Sequence, residues 1–362
     1  MTAIVWHSSF AALTGYSGSS RAFTLGLDAR GISVRPLFLY GADHDEQVIA
    51  GHLHPRIKQL QALPLRLDVP QVVYAPADRF SKNSGSYRIG FTMLEVDRLP
   101  ADWVGQANQM DEVWTPTTWG AEVFHASGVQ RPIIVVPLGV DTTHFRPGSP
   151  RTKLADRTIF LSVFEWGARK GWDILLRAYR ATFRHNDPVL LLLKVDCRAP
   201  AEHPVREIAK LLPDPSPPVG LIYNQPLTGA QLVELYQSAD CFVLPTRGEG
   251  WGMPILEGMA CGVPAIATDW SGSATFVTPE NGYLLPIRGL VPTCSDSPYY
   301  RDAQWADPDE AMLCELLRHV VAHPNERQAK GQQAVKDAQQ WTWKQGVDQI
   351  YQRLTDRDIT AQ

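Results

Sequence analysis

The chain has 362 residues, 44% of them hydrophobic and 20% charged, with a formal net charge of −4. That length suits two α/β domains better than one, and the composition excludes a disordered chain. The slight acidic balance argues against a nucleic-acid binder, which normally carries a basic excess, and no stretch approaches the ~20 apolar residues that span a bilayer. Five cysteines, Cys197, Cys241, Cys261, Cys294 and Cys314, are irregularly spaced with no Cys-x-x-Cys pair, so neither a disulfide framework nor a zinc site is expected. The apolar run Ala3-Ile4-Val5-Trp6 is short and lacks the basic leader of a secretion signal. A cytoplasmic protein is expected, with peripheral contact at the inner membrane left open.

The first half reads as strand, glycine-rich loop, helix: Ala3 to Trp6, then Gly15-Tyr16-Ser17-Gly18-Ser19-Ser20, then Arg21 to Arg30 closed by Gly31. Strands follow at Ile32 to Tyr40, Gln71 to Ala75, Tyr87 to Thr92, Glu112 to Thr115 and Ile133 to Val136, with a helix over Thr118 to Ser127. The cluster Arg146-Pro147-Gly148-Ser149-Pro150 interrupts this beat and is read as a linker. The second half alternates again. Strands are expected at 159–163, 189–195, 219–223, 241–244 and 264–268, and helices at 172–183, 228–238 and 254–261. The apolar run Val189 to Val195 suits a parallel strand buried on both faces. Residues 287–307 suggest no element, and helices close the chain at 309–322 and 343–354. The expected domains are 1–147, completed by the helix in 343–362, and 148–342.

The stretch Arg247-Gly248-Glu249-Gly250-Trp251-Gly252-Met253-Pro254-Ile255-Leu256-Glu257-Gly258-Met259-Ala260-Cys261-Gly262 carries the chemistry. It follows a buried strand and opens a helix. Its glycines let the backbone approach a ligand, Pro254 suits a helix start where no N–H is needed, and the first-turn amides offer an anion site. A Gly-x-Gly alone is weak evidence. Here it comes with two glutamates separated by seven residues, a Met-Pro step and a following Gly-Val-Pro.

This segment resembles the signature of retaining glycosyltransferases of the large group-1 family, which have the GT-B fold. Trp251 and Met253 replace the family's usual Phe and Leu. The resemblance implies two Rossmann-like doubly wound domains facing a cleft, an acceptor domain first and a nucleotide-sugar donor domain second. It implies that Glu249 contacts donor-sugar hydroxyls, that Glu257 binds the ribose, and that Gly250, Trp251, Gly252, Met253 and Pro254 face the sugar and diphosphate. Arg169-Lys170-Gly171 looks like the phosphate loop, and Gln225 to Asp240 looks like the element beside the base. Gly15 to Arg21, with Gly18, matches the N-terminal glycine loop, and Pro137-Leu138-Gly139-Val140-Asp141 matches the end of the first domain.

Two positions depart from that pattern. Glu165 stands where the family usually has an arginine, so either Arg169 supplies the charge, or the diphosphate is positioned differently, or the protein is a non-catalytic relative. No histidine occupies Phe91-Thr92-Met93-Leu94-Glu95-Val96-Asp97, where either Glu95 or Thr92 takes the corner beside the reacting centre or Glu95 simply caps the loop. Glu249, Lys170 and Glu95 are therefore the catalytic candidates. The implied reaction transfers a hexose from a UDP- or GDP-sugar to a saccharide, lipid-linked or other hydroxyl acceptor, in polysaccharide or glycoconjugate synthesis. It is expected to need no metal, since cationic side chains can do the charge work. Two alternatives stay open: a nucleotide-sugar epimerase of the same architecture, and a non-catalytic nucleotide-sugar-binding subunit, which Glu165 keeps in view.

Overall fold

The computed structural model describes residues 2–12, 14–40, 53–148, 157–197, 203–295 and 297–355. Ser149 and Pro150 of the expected linker, and residues 356–362 of the closing segment, lie outside them. The chain divides into two compact units: Met1–Leu94 with Arg98–Gly139 and Trp341–Gln362, and Glu95–Asp97 with Val140–Gln340.

In unit 1 the order is β1 (Ala3–Ser8), α1 (Gly15–Asp28), β2 (Ser33–Phe38), α2 (Pro55–Gln61), β3 (Gln71–Tyr74), β4 (Arg88–Phe91), α3 (Ala101–Ala107), β5 (Glu112–Thr115), α4 (Thr118–Ala126) and β6 (Ile133–Val135). Among the described residues the strands form one parallel sheet ordered β2-β1-β3-β4-β5-β6. Every residue of β3 and β5 is buried, as in a sheet covered on both faces. The expected loop Gly15–Ser20 is instead the first turns of α1. Thr14 caps it, its hydroxyl accepting from Ser17 N at 3.2 Å. Gly and Ser are poor helix formers, but the Ser19 hydroxyl donates back to the Gly15 carbonyl at 2.6 Å and the Ser20 hydroxyl to Ser8 Oγ at 2.7 Å, which offsets the propensity cost. The closing helix α11 (Trp343–Thr355) also belongs to this unit. Trp343 stacks edge-on against Phe23 at 5.5 Å, and Arg353 reaches the fully buried Glu112 carboxylate at 2.6 Å.

Unit 2 runs β7 (Thr158–Glu165), α5 (Trp172–Thr182), β8 (Val189–Asp196), α6 (Pro204–Leu211), β9 (Val219–Tyr223), α7 (Gly229–Ser238), β10 (Cys241–Leu244), α8 (Met253–Ala260), β11 (Ala265–Thr268), β12 (Gly282–Leu285), β13 (Ile287–Pro292), β14 (Gln304–Pro308), α9 (Glu310–Ala322) and α10 (Pro324–Ala338). The parallel sheet is ordered β12-β11-β10-β7-β8-β9. The order reverses between β7 and β10, and in doubly wound sheets ligands bind outside the carboxyl ends of the strands at such a switch point.

Residues 287–307 are not featureless. Strands β13 and β14 form an antiparallel ribbon, with Leu290 opposite Ala306 and Val291 opposite Trp305. Arg288, Gly289 and Leu290 are exposed, so β13 lacks the burial alternation that marks a strand in sequence. Helices α2 and α3 are too short to show a period, and α10 buries small residues, Gly331, Ala334 and Ala338, in place of a large apolar stripe.

Candidate active site

The switch point of unit 2 brings two loops together. One follows β7 and turns through a short 3₁₀ segment, Ala168–Lys170, into α5. The other follows β10 and enters α8 through Gly252. The hinge of the first is Gly171, at φ +65°, where a Cβ would collide with the Pro245 carbonyl oxygen. Backbone and side-chain bonds tie the loops: Arg247 N donates to the Arg169 carbonyl at 2.6 Å, and the Thr246 hydroxyl lies 3.1 Å from that same oxygen.

Glu249 sits between the loops, only 5% exposed. Its Oε1 accepts from Lys170 Nζ at 2.6 Å and from Thr246 Oγ1 at 3.0 Å, with Arg169 Nη1 at 3.4 Å. Burial alone would raise this carboxyl, but the charges of Lys170 and Arg169 outweigh it and hold Glu249 below the ordinary carboxylate range. Burial, then the neighbouring Arg169, lowers Lys170, and Glu249 partly restores it. Arg169 also donates to the Gly248 carbonyl at 2.6 Å and approaches Glu95 Oε1 at 3.6 Å. Its guanidinium is held firmly charged because the carboxylates of Glu95 and Glu249 outweigh its burial.

The sequence candidates are thus partly assembled. Glu249, Lys170, Arg169 and Glu95 form one cluster. Gly252, at φ +101°, is the N-cap of α8, Met253 opens the helix, and Pro254 falls one position later than expected. Gly250 packs its backbone against Gly272. Trp251 is core, 2% exposed with its ring 5.3 Å from Phe276, so its side chain is not a ligand contact. Glu257 lies on α8 and accepts from Tyr236 OH at 2.7 Å; burial pushes its carboxyl up to about 7, the hydrogen bond partly opposing. Gln225 is exposed in the turn after β9, beside Asn224 at φ +48°. Gly18 lies within α1 in unit 1.

Sequence reasoning missed three contributors. Arg247 grips Asp173 with both terminal nitrogens, at 2.8 and 2.9 Å, and lies over Trp305 at 5.8 Å, bracing the loops. The Ser271 hydroxyl lies 2.9 Å from Glu249 N and fixes the second loop. Tyr300 donates to Glu95 Oε2 at 3.0 Å. Arg247 stood in the recognised motif, but nothing local marked Asp173 as its partner, Ser271 as that of Glu249 N or Tyr300 as that of Glu95. Glu165, exposed at the end of β7, lines a pocket of about 400 Å³ with Trp166, Arg169, Lys170, Tyr300 and Trp305. Among the described residues no three His, Cys, Asp or Glu side chains cluster as a metal site.

With this geometry in place, comparison with known proteins is informative. Over its full length the chain superimposes on sucrose-phosphate synthase from Thermosynechococcus elongatus with a TM-score of 0.72 at 17% identity, covering 100% of both chains. Anabaena HepE in complex with UDP and glucose gives 0.73 at 13% identity, covering 98% of this chain and 100% of that one. The fold is GT-B. Within it, residues 155–291 match the family profile described as Glycosyl transferases group 1, which spans both loops of the GT-B switch point. In sequence the chain is 29% identical over 240 residues to D-inositol 3-phosphate glycosyltransferase of Acidothermus cellulolyticus, covering 62% of this chain and 50% of that protein. It is 28% identical over 272 residues to the GDP-mannose-dependent alpha-(1-6)-phosphatidylinositol monomannoside mannosyltransferase of Mycolicibacterium smegmatis, covering 71% and 67%. The chain spans about half the length of the D-inositol 3-phosphate glycosyltransferases it matches. Among the described residues no helix is long and apolar enough to cross a membrane.

Proposed function

We propose that this chain is a retaining glycosyltransferase that moves a hexose from a UDP- or GDP-sugar to a hydroxyl acceptor, in polysaccharide or glycoconjugate synthesis. The supporting observation is the Lys170–Glu249–Arg169 cluster at the carboxyl ends of β7 and β10, inside the stretch that matches group 1 glycosyl transferases. Unit 2 is the donor domain in this reading, and unit 1 takes the acceptor.

The chemistry follows from the residues. A nucleotide diphosphate leaves with negative charge. Lys170, Arg169 and the amides at the start of α8 stabilise that charge as it develops. Glu249, buried and ionised, accepts hydrogen bonds from sugar hydroxyls and fixes the anomeric carbon. Glu257 takes the ribose hydroxyls. The acceptor proton passes to the departing phosphate oxygen on the same face, so no protein nucleophile is required. No step calls for a metal.

The test is a panel of UDP- and GDP-sugars incubated with the full chain, read by NMR for free sugar or transfer product and for the configuration at the new anomeric bond. Retained configuration supports the proposal. An inverted product overturns the mechanism, interconversion of donor epimers points to an epimerase, and tight nucleotide binding without turnover points to a binding subunit.

A further inference from the structure

The β13–β14 ribbon lies outside both main sheets, yet it packs against the loop that carries Glu249. Residues 95–97, which follow β4 in the chain but pack with unit 2, bridge the two. Asp97 N donates to the Gln304 carbonyl at 3.0 Å, and Gln304 N donates to Asp97 Oδ1 at 2.6 Å. A Cβ on Gly248 would collide with the Glu95 carbonyl oxygen, so this segment lies directly on the Glu249 loop. Ala306 N donates to the Arg247 carbonyl at 2.9 Å and pins the ribbon to the same loop.

These contacts converge on one chain of side chains. Tyr300 OH donates to Glu95 Oε2 at 3.0 Å, Glu95 Oε1 faces Arg169 Nη2 at 3.6 Å, and Arg169 Nη1 donates to the Gly248 carbonyl at 2.6 Å. Burial and the adjacent Glu95 carboxylate push the Tyr300 hydroxyl well above its ordinary value, so it stays a donor at any working pH. Arg169 stands on a long flexible stem that would otherwise sample many rotamers, and an unheld guanidinium loses that freedom only when a ligand arrives.

We infer that Tyr300 and Glu95 are positioning residues that hold the Arg169 guanidinium ready for a diphosphate, making the β13–β14 ribbon a functional wall of the donor site. This rests on the donor-site reading above. It departs from treating Glu95 as a group that touches the reacting centre: Glu95 acts through Arg169.

The experiment is a double-mutant cycle on the full chain. UDP and GDP affinities are measured by calorimetry for wild type, Tyr300→Phe, Arg169→Met and the double variant, with thermal melts to confirm folding. Tyr300→Phe is expected to weaken the preferred diphosphate about 5–20-fold, the range of an indirect loss of one charged hydrogen bond. In the Arg169→Met background the same change should matter less than about 2-fold, because neighbours that act through one another are non-additive. Glu95→Gln should follow the same pattern, and serves if Tyr300→Phe proves unstable. Unchanged affinity in Tyr300→Phe, or an equal loss in both backgrounds, overturns the inference while leaving the donor site standing. A wild type that binds neither UDP nor GDP overturns the donor reading itself, and this inference with it.

Discussion

Glu249→Gln separates the ion pair's structural worth from its chemical one. The pair is close, Lys170 Nζ to Oε1 at 2.6 Å, with side chains 12% and 7% exposed. At an effective dielectric near 20 the bare attraction is about 6 kcal/mol, most of it offset by the several kcal/mol each ion loses on leaving water. Glutamine keeps the shape, and its Oε1 still accepts from Lys170 and from Thr246, so the net loss should be roughly 1–3 kcal/mol. For a unit of this size that is a fall of about 2–4 °C in Tm per kcal/mol. The carboxyl is held below its ordinary value in the fold, so its contribution is full above the unfolded carboxylate pKa and disappears as pH falls through the lower folded one. The gap in Tm between wild type and variant should therefore be open at pH 7 and narrow in acid. Turnover should fall ~10²–10³-fold, from lost positioning of the sugar. Affinity for UDP or GDP, which lack the donor hexose, should hold or rise, because Lys170 is released toward phosphate. Scanning calorimetry across pH, donor turnover and nucleotide titration read the three quantities. A variant with wild-type turnover removes Glu249 from the mechanism, and a Tm gap that widens in acid refutes the charge argument.

Glu257 should make nucleotide affinity pH-dependent: with its carboxyl near 7, binding through ribose hydroxyls should strengthen from pH 6 to pH 8, and Glu257→Gln should flatten that slope in a fluorescence or calorimetric titration. Arg353→Ala strips the charge partner from the wholly buried Glu112, which among the described residues keeps Trp114 Nε1 and Tyr87 OH as donors; unit 1 should lose roughly 2–4 kcal/mol in urea unfolding. Gly171→Ala meets both a left-handed φ and the Pro245 carbonyl, so diphosphate binding should weaken at least tenfold, with a lower Tm, as the loop shifts.

How much of this was legible depended on the range of the interaction. The strands at Glu112–Thr115, Val219–Tyr223 and Cys241–Leu244 were read to the residue, because local apolar runs bounded by turn residues carry the signal. The helix expected at 228–238 begins on an equally local signal, the Thr228 hydroxyl accepting from Gln231 N three residues on. The start of α1 was not legible. Its Gly and Ser residues argue locally for a loop, and the hydroxyl partner that reverses this, Ser8, lies on another strand. The Tyr300–Glu95 contact spans 205 positions and joins a stretch without periodicity to a loop from the other half of the chain. No window of sequence contains both ends of it.

The charges of the cluster explain why Glu165 can stand where a cation was expected. Two cations, Arg169 and Lys170, face two carboxylates, Glu95 and Glu249, and the four are formally neutral before any ligand arrives. A site holding these cations without partners would pay a heavy desolvation penalty, since a buried charge needs a counter-charge. A third cation at position 165 would need a further partner, whereas Glu165 stands exposed at the pocket rim. In the proposed reaction the donor re-partners the cluster. Lys170 turns from Glu249 to phosphate, Glu249 turns from Lys170 to sugar hydroxyls, and Arg169 keeps Glu95 as its anchor while its remaining donors meet the diphosphate. The ion pair that stabilises the empty site then limits nucleotide affinity, and the freed Glu249 carboxylate becomes available only when a sugar is present to take its place. Discrimination between a nucleotide and a nucleotide sugar follows from that exchange alone, without a separate gate.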